Sequence, residues 1–328
     1  MNSASRVNLL GSSPQFQQAY SQIQKISRVD VTVFIEGETG TGKELAARAI
    51  HYLGGRRDGP FIPVNCGALP ETLVESELFG HERGAFTDAK AASPGLVSEA
   101  DGGTLFLDEV DALSLKAQAS LLRFLQDRTY RRVGGSATRQ ADVRIIAASN
   151  ANLYKLVEDR QFRRDLLYRL NVLSLRMPAL RERSGDPLEL AQAFLARLSH
   201  QYRVPAKTLH PDAVNFIEQY SWPGNVRELE NVIHREFLMC EGGELHLFAP
   251  QSPEQSERHD DRLPFKAAKA RAIAEFERRY VNDLLQRTDG NITRAARLAG
   301  QDRSAFGKLA RKHGLSQSPS LSSAETAD

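Results

Sequence analysis

Cysteine is nearly absent from the chain. Cys66 and Cys240 are its two thiols in 328 residues, which excludes a disulfide framework and suits a reducing compartment. Long apolar runs are missing as well. No stretch approaches the roughly 20 residues that a membrane-crossing helix needs, and the N-terminus lacks a signal-peptide pattern. A cytoplasmic protein with no membrane partner is expected. An excess of one charge is also lacking: 43 Lys or Arg face 41 Asp or Glu, a net +2, so no global field selects a partner. The eight histidines are scattered without ligand spacing, so no structural metal site is expected. There is no internal repeat.

What remains is ordinary for a globular chain, 41% hydrophobic and 26% charged, with length for two or three domains. Its charge is unevenly spread. Residues 265–314 hold twelve Lys or Arg against five Asp or Glu, a local +7.

The chain is organised around Val31–Lys43. Val31-Thr32-Val33-Phe34-Ile35 reads as a buried strand. Gly37-Glu38-Thr39-Gly40-Thr41-Gly42-Lys43 follows, and Leu45–Ile50 reads as a helix. Strand, glycine loop and helix form the context of a phosphate-binding loop. The glycines let successive N–H groups turn inward, the helix start adds a positive dipole end, and Lys43 adds a mobile cation. Where such loops usually place Ser or Thr after the lysine, this chain has Glu44. Its carboxylate is a candidate ligand for Mg²⁺, directly or through water.

Phe16, Tyr20, Ile23 and Ile26 give an opening helix within residues 9–27. Further strands are expected at Phe61–Cys66, Gly103–Glu109 and Val143–Asn150, with helices between them. Such alternation predicts an α/β fold with a parallel sheet covered on both faces. From about residue 186 the strands stop. Residues 187–202, 211–220 and 225–239 read as three helices, and Trp222-Pro223-Gly224 as the turn before the last. The expected divisions are 1–172 for the α/β part, 173–248 for a helical lid, 249–264 for a linker, 265–315 for an all-α module and 316–328 for a disordered tail.

Asp108 and Glu109 close an apolar strand, where carboxylates of a parallel sheet meet the ligand crevice. Asp108 is placed to hold Mg²⁺ on the phosphates, and Glu109 to orient the attacking water. Asn150 ends the neighbouring strand and can position water or phosphate. Asn65, ending its own strand, can restrain Glu109 if the two lie side by side. Arg163 and Arg169 are either surface cations or fingers reaching a neighbouring subunit's site. Arg227 lies in the first turn of a helix for which Asn225 is a good N-cap, and can report on a phosphate.

Together these residues resemble the AAA+ ATPases that activate sigma-54 RNA polymerase, the bacterial enhancer-binding proteins. The likeness covers about residues 9–248. It rests on Gly37–Glu44, Glu77-Leu78-Phe79-Gly80-His81-Glu82, Ala100–Glu109, Leu180-Arg181-Glu182-Arg183 and Trp222-Pro223-Gly224-Asn225-Val226-Arg227-Glu228-Leu229. Glu44 is normal for that family. The resemblance implies an AAA+ P-loop fold with a small helical lid, and ATP bound with Mg²⁺ between subunits of a ring, expected as a hexamer. It further implies Asn65 as a glutamate switch, Asn150 as first sensor, Arg163 and Arg169 as trans fingers, and Arg227 as second sensor. A head-to-tail interface is what such fingers require.

Within the resemblance, Gly84-Ala85-Phe86-Thr87-Asp88-Ala89 is the mobile loop that touches the sigma factor, with Phe86 as its apolar anchor. The family's usual glycine is here Asp88, which tolerates a left-handed backbone better than most residues. Arg131-Arg132-Val133-Gly134-Gly135 is the expected companion loop.

In the basic C-terminal stretch, Ile273, Phe276, Tyr280 and Leu284 share a helical face. Asn291–Ala299 and Arg303–Arg311, joined at Gly300 and with Asp302 as cap, resemble a Fis-type helix-turn-helix. Ala305, Phe306 and Leu309 are its expected inner face. Arg303, Ser304, Gly307, Lys308 and Arg311 are its expected contacts to double-stranded DNA.

The expected function is an ATP-driven activator acting on sigma-54 RNA polymerase holoenzyme from an upstream DNA site. A DNA-binding AAA+ regulator that acts without sigma-54 is the alternative, fed by Asp88 alone. A chaperone or clamp-loading ATPase fits the core but not the DNA-binding end. Because the ATPase region begins within about ten residues of Met1, no receiver or sensor domain is expected. Control is expected in trans, by a protein that binds the ATPase surface, or by expression level.

Overall fold

The computed structural model describes residues 9–247, 277, 280–281, 284–285, 288 and 290–313. The expected linker at 249–264, the tail at 316–328, and Ile273 and Phe276 lie outside the described residues. The chain divides into two units, Met1–Ala249 and Pro250–Asp328.

The first unit opens with α1 (Pro14–Ser27), β1 (Val33–Glu36), α2 (Lys43–Tyr52), β2 (Phe61–Asn65), α3 (Val74–Phe79), α4 (Leu96–Glu99) and β3 (Thr104–Asp108). It continues through α5 (Leu115–Asp127), β4 (Thr129–Arg131), β5 (Thr138–Gln140), β6 (Arg144–Ser149), α6 (Leu153–Glu158), α7 (Arg164–Leu170) and β7 (Leu173–Arg176). Its helical part comprises α8 (Asp186–Tyr202), β8 (Thr208–Leu209), α9 (Pro211–Gln219), α10 (Asn225–Met239) and β9 (Glu244–Leu245).

Five strands make one parallel sheet in the order β2-β3-β6-β1-β7. All six residues of β6 are buried, as expected of an inner strand covered on both faces. Pro63 sits on β2, at the sheet's edge, where a missing N–H is tolerated. Alternate residues face opposite ways. Phe34, Leu105, Leu107, Ile145 and Ala147 pack with residues of α3, α5 and α7. Val33, Ile35, Phe106, Ile146 and Ala148 pack with α1 and α2.

Two features differ from the sequence reading. β7 pairs in parallel with β1 from Val33↔Leu173 to Glu36↔Arg176. The sheet therefore extends past residue 172, the expected end of the α/β part. Four residues with one fully buried side chain, Leu175, carry too little periodicity to be read as a strand. The short antiparallel pair β4–β5 and the parallel pair β8–β9 were unread for the same reason.

The helical part closes on its own core, centred on Trp222, which is fully buried with Leu229, Ile233, Ile217 and Ala213. The Trp222 indole donates to the Ile217 carbonyl (2.9 Å). A buried ion pair binds this part to the start of the chain. Arg183 Nε donates to Asp186 Oδ2 at 2.7 Å, and both side chains are almost wholly buried. Asp186 also accepts from the N–H groups of Ser12 and Ser13 and from the Ser13 hydroxyl, while Arg183 reaches the Leu10 carbonyl. Burial pushes Asp186 toward protonation, but Arg183 and the serine donors outweigh it and hold the carboxyl below its ordinary value. Among the described residues no helix is long and apolar enough to cross a membrane.

Removing one partner of such a pair strands a buried charge. Asp186→Ala is expected to cost roughly 3–5 kcal/mol, read from the urea unfolding midpoint. A second expectation concerns His51, buried with Nδ1 2.9 Å from Thr104 Oγ1. Burial lowers its pKa below the ordinary 6.5, so the unfolded chain takes up that proton first. Its contribution is complete above about pH 6.5 and is lost as pH falls. The unfolding midpoint should drop on acidification, and His51→Gln should flatten that part of the profile.

Candidate nucleotide and DNA sites

β1 ends at Glu36, and the glycine loop leads into α2, whose first residue is Lys43. Gly40 (φ 78°) and Gly42 (φ 94°) take left-handed backbone, and Gly42 is the N-cap of α2. The Lys43 ammonium donates to the carbonyls of Gly37 (2.7 Å) and Glu38 (3.2 Å). Burial lowers its pKa, opposed by the charges of Asp108, Glu109 and Asp111.

Asp108 ends β3 opposite Asn65 of β2. Burial raises its pKa, against the pull of Lys43. Glu109 follows with a left-handed backbone (φ 55°). A side chain on Gly67 would strike the Glu109 carboxylate and crowd the Asn65 amide oxygen. Asn65 and Glu109 thus lie against the same glycine. Asn65 Oδ1 accepts the Ala68 N–H (3.1 Å) and caps the turn after β2. Asn150, at the end of β6, donates to Thr39 Oγ1 (3.0 Å) and so touches the phosphate loop.

Glu44, expected as a metal ligand directly or through water, is paired with Arg48. Its Oε1 accepts from Arg48 Nε (2.9 Å) and Nη2 (2.7 Å) one helical turn on, because the i,i+4 spacing brings the pair together. Among the described residues no three His, Cys, Asp or Glu side chains converge as a metal-ligand set. A hard divalent ion beside Asp108 would therefore draw most of its oxygens from phosphate and water, as Mg²⁺ in nucleotide sites does. The half-buried Asp108 carboxylate facing Lys43 fits that role.

Arg163 is paired with Asp165 (2.7 Å), and Arg169 donates to the Leu125 carbonyl from Nε (3.3 Å) and Nη2 (3.1 Å). Both are exposed, and neither bonds to Lys43, Asp108 or Glu109 of its own chain. Arg227 is exposed in the first turn of α10. Its Cβ lies near the position a Gly40 side chain would take, and its charge lowers the Lys43 pKa.

Two residues behave unlike their sequence reading. Asn225 does not cap α10; Gly224 holds the N-cap position. With φ 53°, the Asn225 side chain turns to the phosphate loop and donates to Glu38 Oε2 (3.1 Å) and the Thr39 carbonyl (3.0 Å). Glu38, expected among the nucleotide contacts, gives its carboxylate to Arg181. The one sequence signal for Arg181 was its place in the Leu180–Arg183 segment.

In the loop Gly84–Ala89, the Gly84 N–H meets the Ala89 carbonyl (2.9 Å) and the Ala89 N–H meets that of Phe86 (3.0 Å). Phe86 is half-buried on the His81 ring, centroids 5.0 Å apart. Only Gly84 in this loop has a left-handed φ. Asp88 does not, so its tolerance of that conformation is not called upon, and its carboxylate is exposed. The Arg131–Gly135 segment abuts the loop: the Glu82 N–H bonds the Val133 carbonyl (3.0 Å), and Arg132 Nη1 bonds Glu82 Oε1 (3.2 Å).

The second unit contains the helices Ile292–Leu298 and Arg303–Lys312, joined through Gly300 (φ 63°). Asn291 caps the first through Thr293 and Arg294 N–H. Asp302 holds the N-cap position of the second but makes no side-chain cap bond. Val281, Leu284, Ala295, Ala296, Phe306 and Ala310 form the core. Tyr280, expected beside Leu284, is exposed. Arg303, Ser304, Lys308 and Arg311 are exposed as expected. Ala305 and Gly307 exchange the expected roles: Ala305 is exposed and Gly307 buried. The inward stripe follows Phe306 by three and four residues to Leu309 and Ala310, which leaves Ala305 outside it.

Comparison with known proteins agrees with this architecture. Residues 9–176 match the Sigma-54 interaction domain, 181–262 the AAA+ ATPase lid domain, and 272–308 the bacterial regulatory protein, Fis family. The nitrogen fixation protein VnfA of Azotobacter vinelandii is 43% identical over 94% of this chain and 59% of its own length. The transcriptional regulatory protein ZraR of Salmonella typhimurium is 42% identical over 94% of this chain and 70% of its own. This chain thus spans about three fifths of VnfA. The crystal structure of NtrX from Brucella abortus in complex with ATP superposes with a TM-score of 0.68 at 34% identity, over 94% of this chain and 69% of that one. With its parallel AAA+ sheet, helical lid and C-terminal helix-turn-helix, this chain belongs to the sigma-54 interaction domain family.

Proposed function

We propose that the chain is an ATP-hydrolysing transcription activator. It binds double-stranded DNA upstream of a promoter, assembles into a ring of its own copies, expected as a hexamer, and remodels the closed complex of sigma-54 RNA polymerase holoenzyme. Such a role is cytoplasmic. The observation that carries this reading is the convergence of Lys43, Asp108, Glu109 and the Asn150–Thr39 contact at one end of the parallel sheet.

The loop's N–H groups and Lys43 hold the outer phosphates of ATP. Glu109 orients a water for in-line attack and accepts its proton. Asp108 would hold Mg²⁺, which would supply charge neutralisation on the phosphates. Asn65, lying with Glu109 against Gly67, is placed to restrain the carboxylate, and Asn150 and Arg227 are placed to sense the terminal phosphate. Arg163 and Arg169, exposed and unattached to their own chain's site, act on a neighbour's site, as a ring requires. Phe86 and its loop touch the sigma factor. Arg303, Ser304, Lys308 and Arg311 face DNA. Gly307, being buried, contributes close packing rather than a base contact.

Lys43→Ala is expected to lower ATP turnover by roughly 10²–10³ and to abolish transcription in vitro from a sigma-54 promoter while DNA binding persists. Phe86→Ala should keep ATP turnover and lose transcription. A Lys43→Ala protein that activates as well as its parent would refute the reading. For the second unit, Lys308→Ala should weaken binding uniformly across DNA sequences and reduce the slope of log affinity against log salt by about 1. An unchanged slope would remove Lys308 from the DNA interface.

A further inference from the structure

Three contacts join the outer face of the phosphate loop to the helical lid. Arg181, in the turn that opens the lid, grips the Glu38 carboxylate with both terminal nitrogens (Nη1 2.7 Å, Nη2 2.5 Å). Asn225, wholly buried, donates to Glu38 Oε2 and the Thr39 carbonyl and accepts the Leu180 N–H (2.7 Å). The Val226 N–H, at the start of α10, donates to the Gly40 carbonyl (3.0 Å). Any side chain on Gly40 would collide with the Gly224 carbonyl, so lid backbone lies directly on loop backbone.

We propose that Glu38, Arg181 and Asn225 are positioning residues: they let the lid set the shape of the phosphate loop, so that lid position and nucleotide affinity are one coupled quantity. This rests on reading the loop as the ATP site. None of the three needs to touch nucleotide. They act through the carbonyls of Glu38 and Thr39 and the N–H groups between Thr39 and Lys43.

Energetics separate this role from simple stabilisation. The Glu38–Arg181 pair is nearly half exposed on both sides, and exposed ion pairs contribute little to folding. Its geometry is nonetheless bidentate, the form that fixes orientation. Arg181 and Asn225 hold the Glu38 carboxyl down to about 2, so the pair persists across the physiological range. Coupling of this kind is reciprocal: if the lid shapes the loop, phosphate on the loop must tighten the lid by the same factor.

The test compares the full chain with Glu38→Gln, Arg181→Gln and the double variant. Equilibrium binding of a fluorescent ATP analogue, turnover at saturating ATP, hydrogen exchange at the Val226 amide and the melting temperature are read together. Each single variant should weaken nucleotide binding about tenfold, with turnover at saturation near the parent's. The double variant should be no weaker than either single, because the two residues act as a unit. Val226 should lose protection, and the melting temperature should scarcely move. Asn225→Gly, which keeps the left-handed backbone and removes the amide, should reproduce the affinity loss. Parental affinity in all variants overturns the proposal. So does weakened binding with Val226 still protected, which would assign Glu38 a direct contact. If the parent itself does not bind ATP, the nucleotide reading falls. Val226 exchange in the variants then decides alone: retained protection overturns the clasp, and lost protection upholds it.

Discussion

The constraint on which the site depends is the close meeting of two backbones, Gly40 of the phosphate loop and Gly224–Val226 of the lid. A parallel sheet delivers the loop at the C-terminal end of its strands, where α/β folds bind ligands. The lid then closes over that edge with main chain as well as with the Arg181 and Asn225 side chains. Peptide groups have few alternative positions, so the loop and the start of α10 are fixed to each other more tightly than flexible cations could manage. Arg227 follows from this placement: two residues beyond the buried Asn225, it stands over the loop near Lys43.

One short segment, Leu180–Arg183, serves two different polar networks, and their burial separates what each does. Arg183 is buried with Asp186 and joins the lid to Ser12, Ser13 and Leu10. A charge pair taken wholly from water is costly to break, so this network governs whether lid and core stay together. Arg181, two residues earlier and exposed, contributes little stability but orients Glu38. Neighbouring arginines of one segment thus divide attachment from adjustment.

The sequence was legible where periodicity was long or a loop chemistry was specific. The apolar runs of β1, β3 and β6 and the glycine loop before Lys43 all specify one outcome. Legibility failed where an element was short, as in β7, β4–β5 and β8–β9. It failed again where a left-handed residue redirected a side chain. Asn225 is a strong N-cap residue by type, yet φ 53° sends its amide across to another subdomain. Glu38 looked like part of the phosphate cradle because it lies within the loop, but a carboxylate beside bound phosphate would repel it. Pairing with Arg181 removes that conflict. Glu44 is resolved similarly by Arg48, a partner visible only once α2 is known to begin at Lys43.

Left-handed backbone also marks where the fold stores its departures from local preference. Six described non-glycine residues adopt it, and three of them, Glu109, Trp222 and Asn225, lie at the site or in the turn that presses on it. Such conformations persist only when their surroundings over-determine them. Trp222 is held by a full core and the Ile217 carbonyl, Asn225 by three hydrogen-bonded neighbours, and Glu109 by the space that Gly67 leaves open. From Gly67 the chain passes into α3, whose Val74, Leu78 and Phe79 are locked in the core, and then to His81, on which Phe86 rests. Gly67, against which Glu109 and Asn65 lie, and His81, on which Phe86 rests, thus flank that helix. In a close-packed interior such a helix moves as a body or not at all.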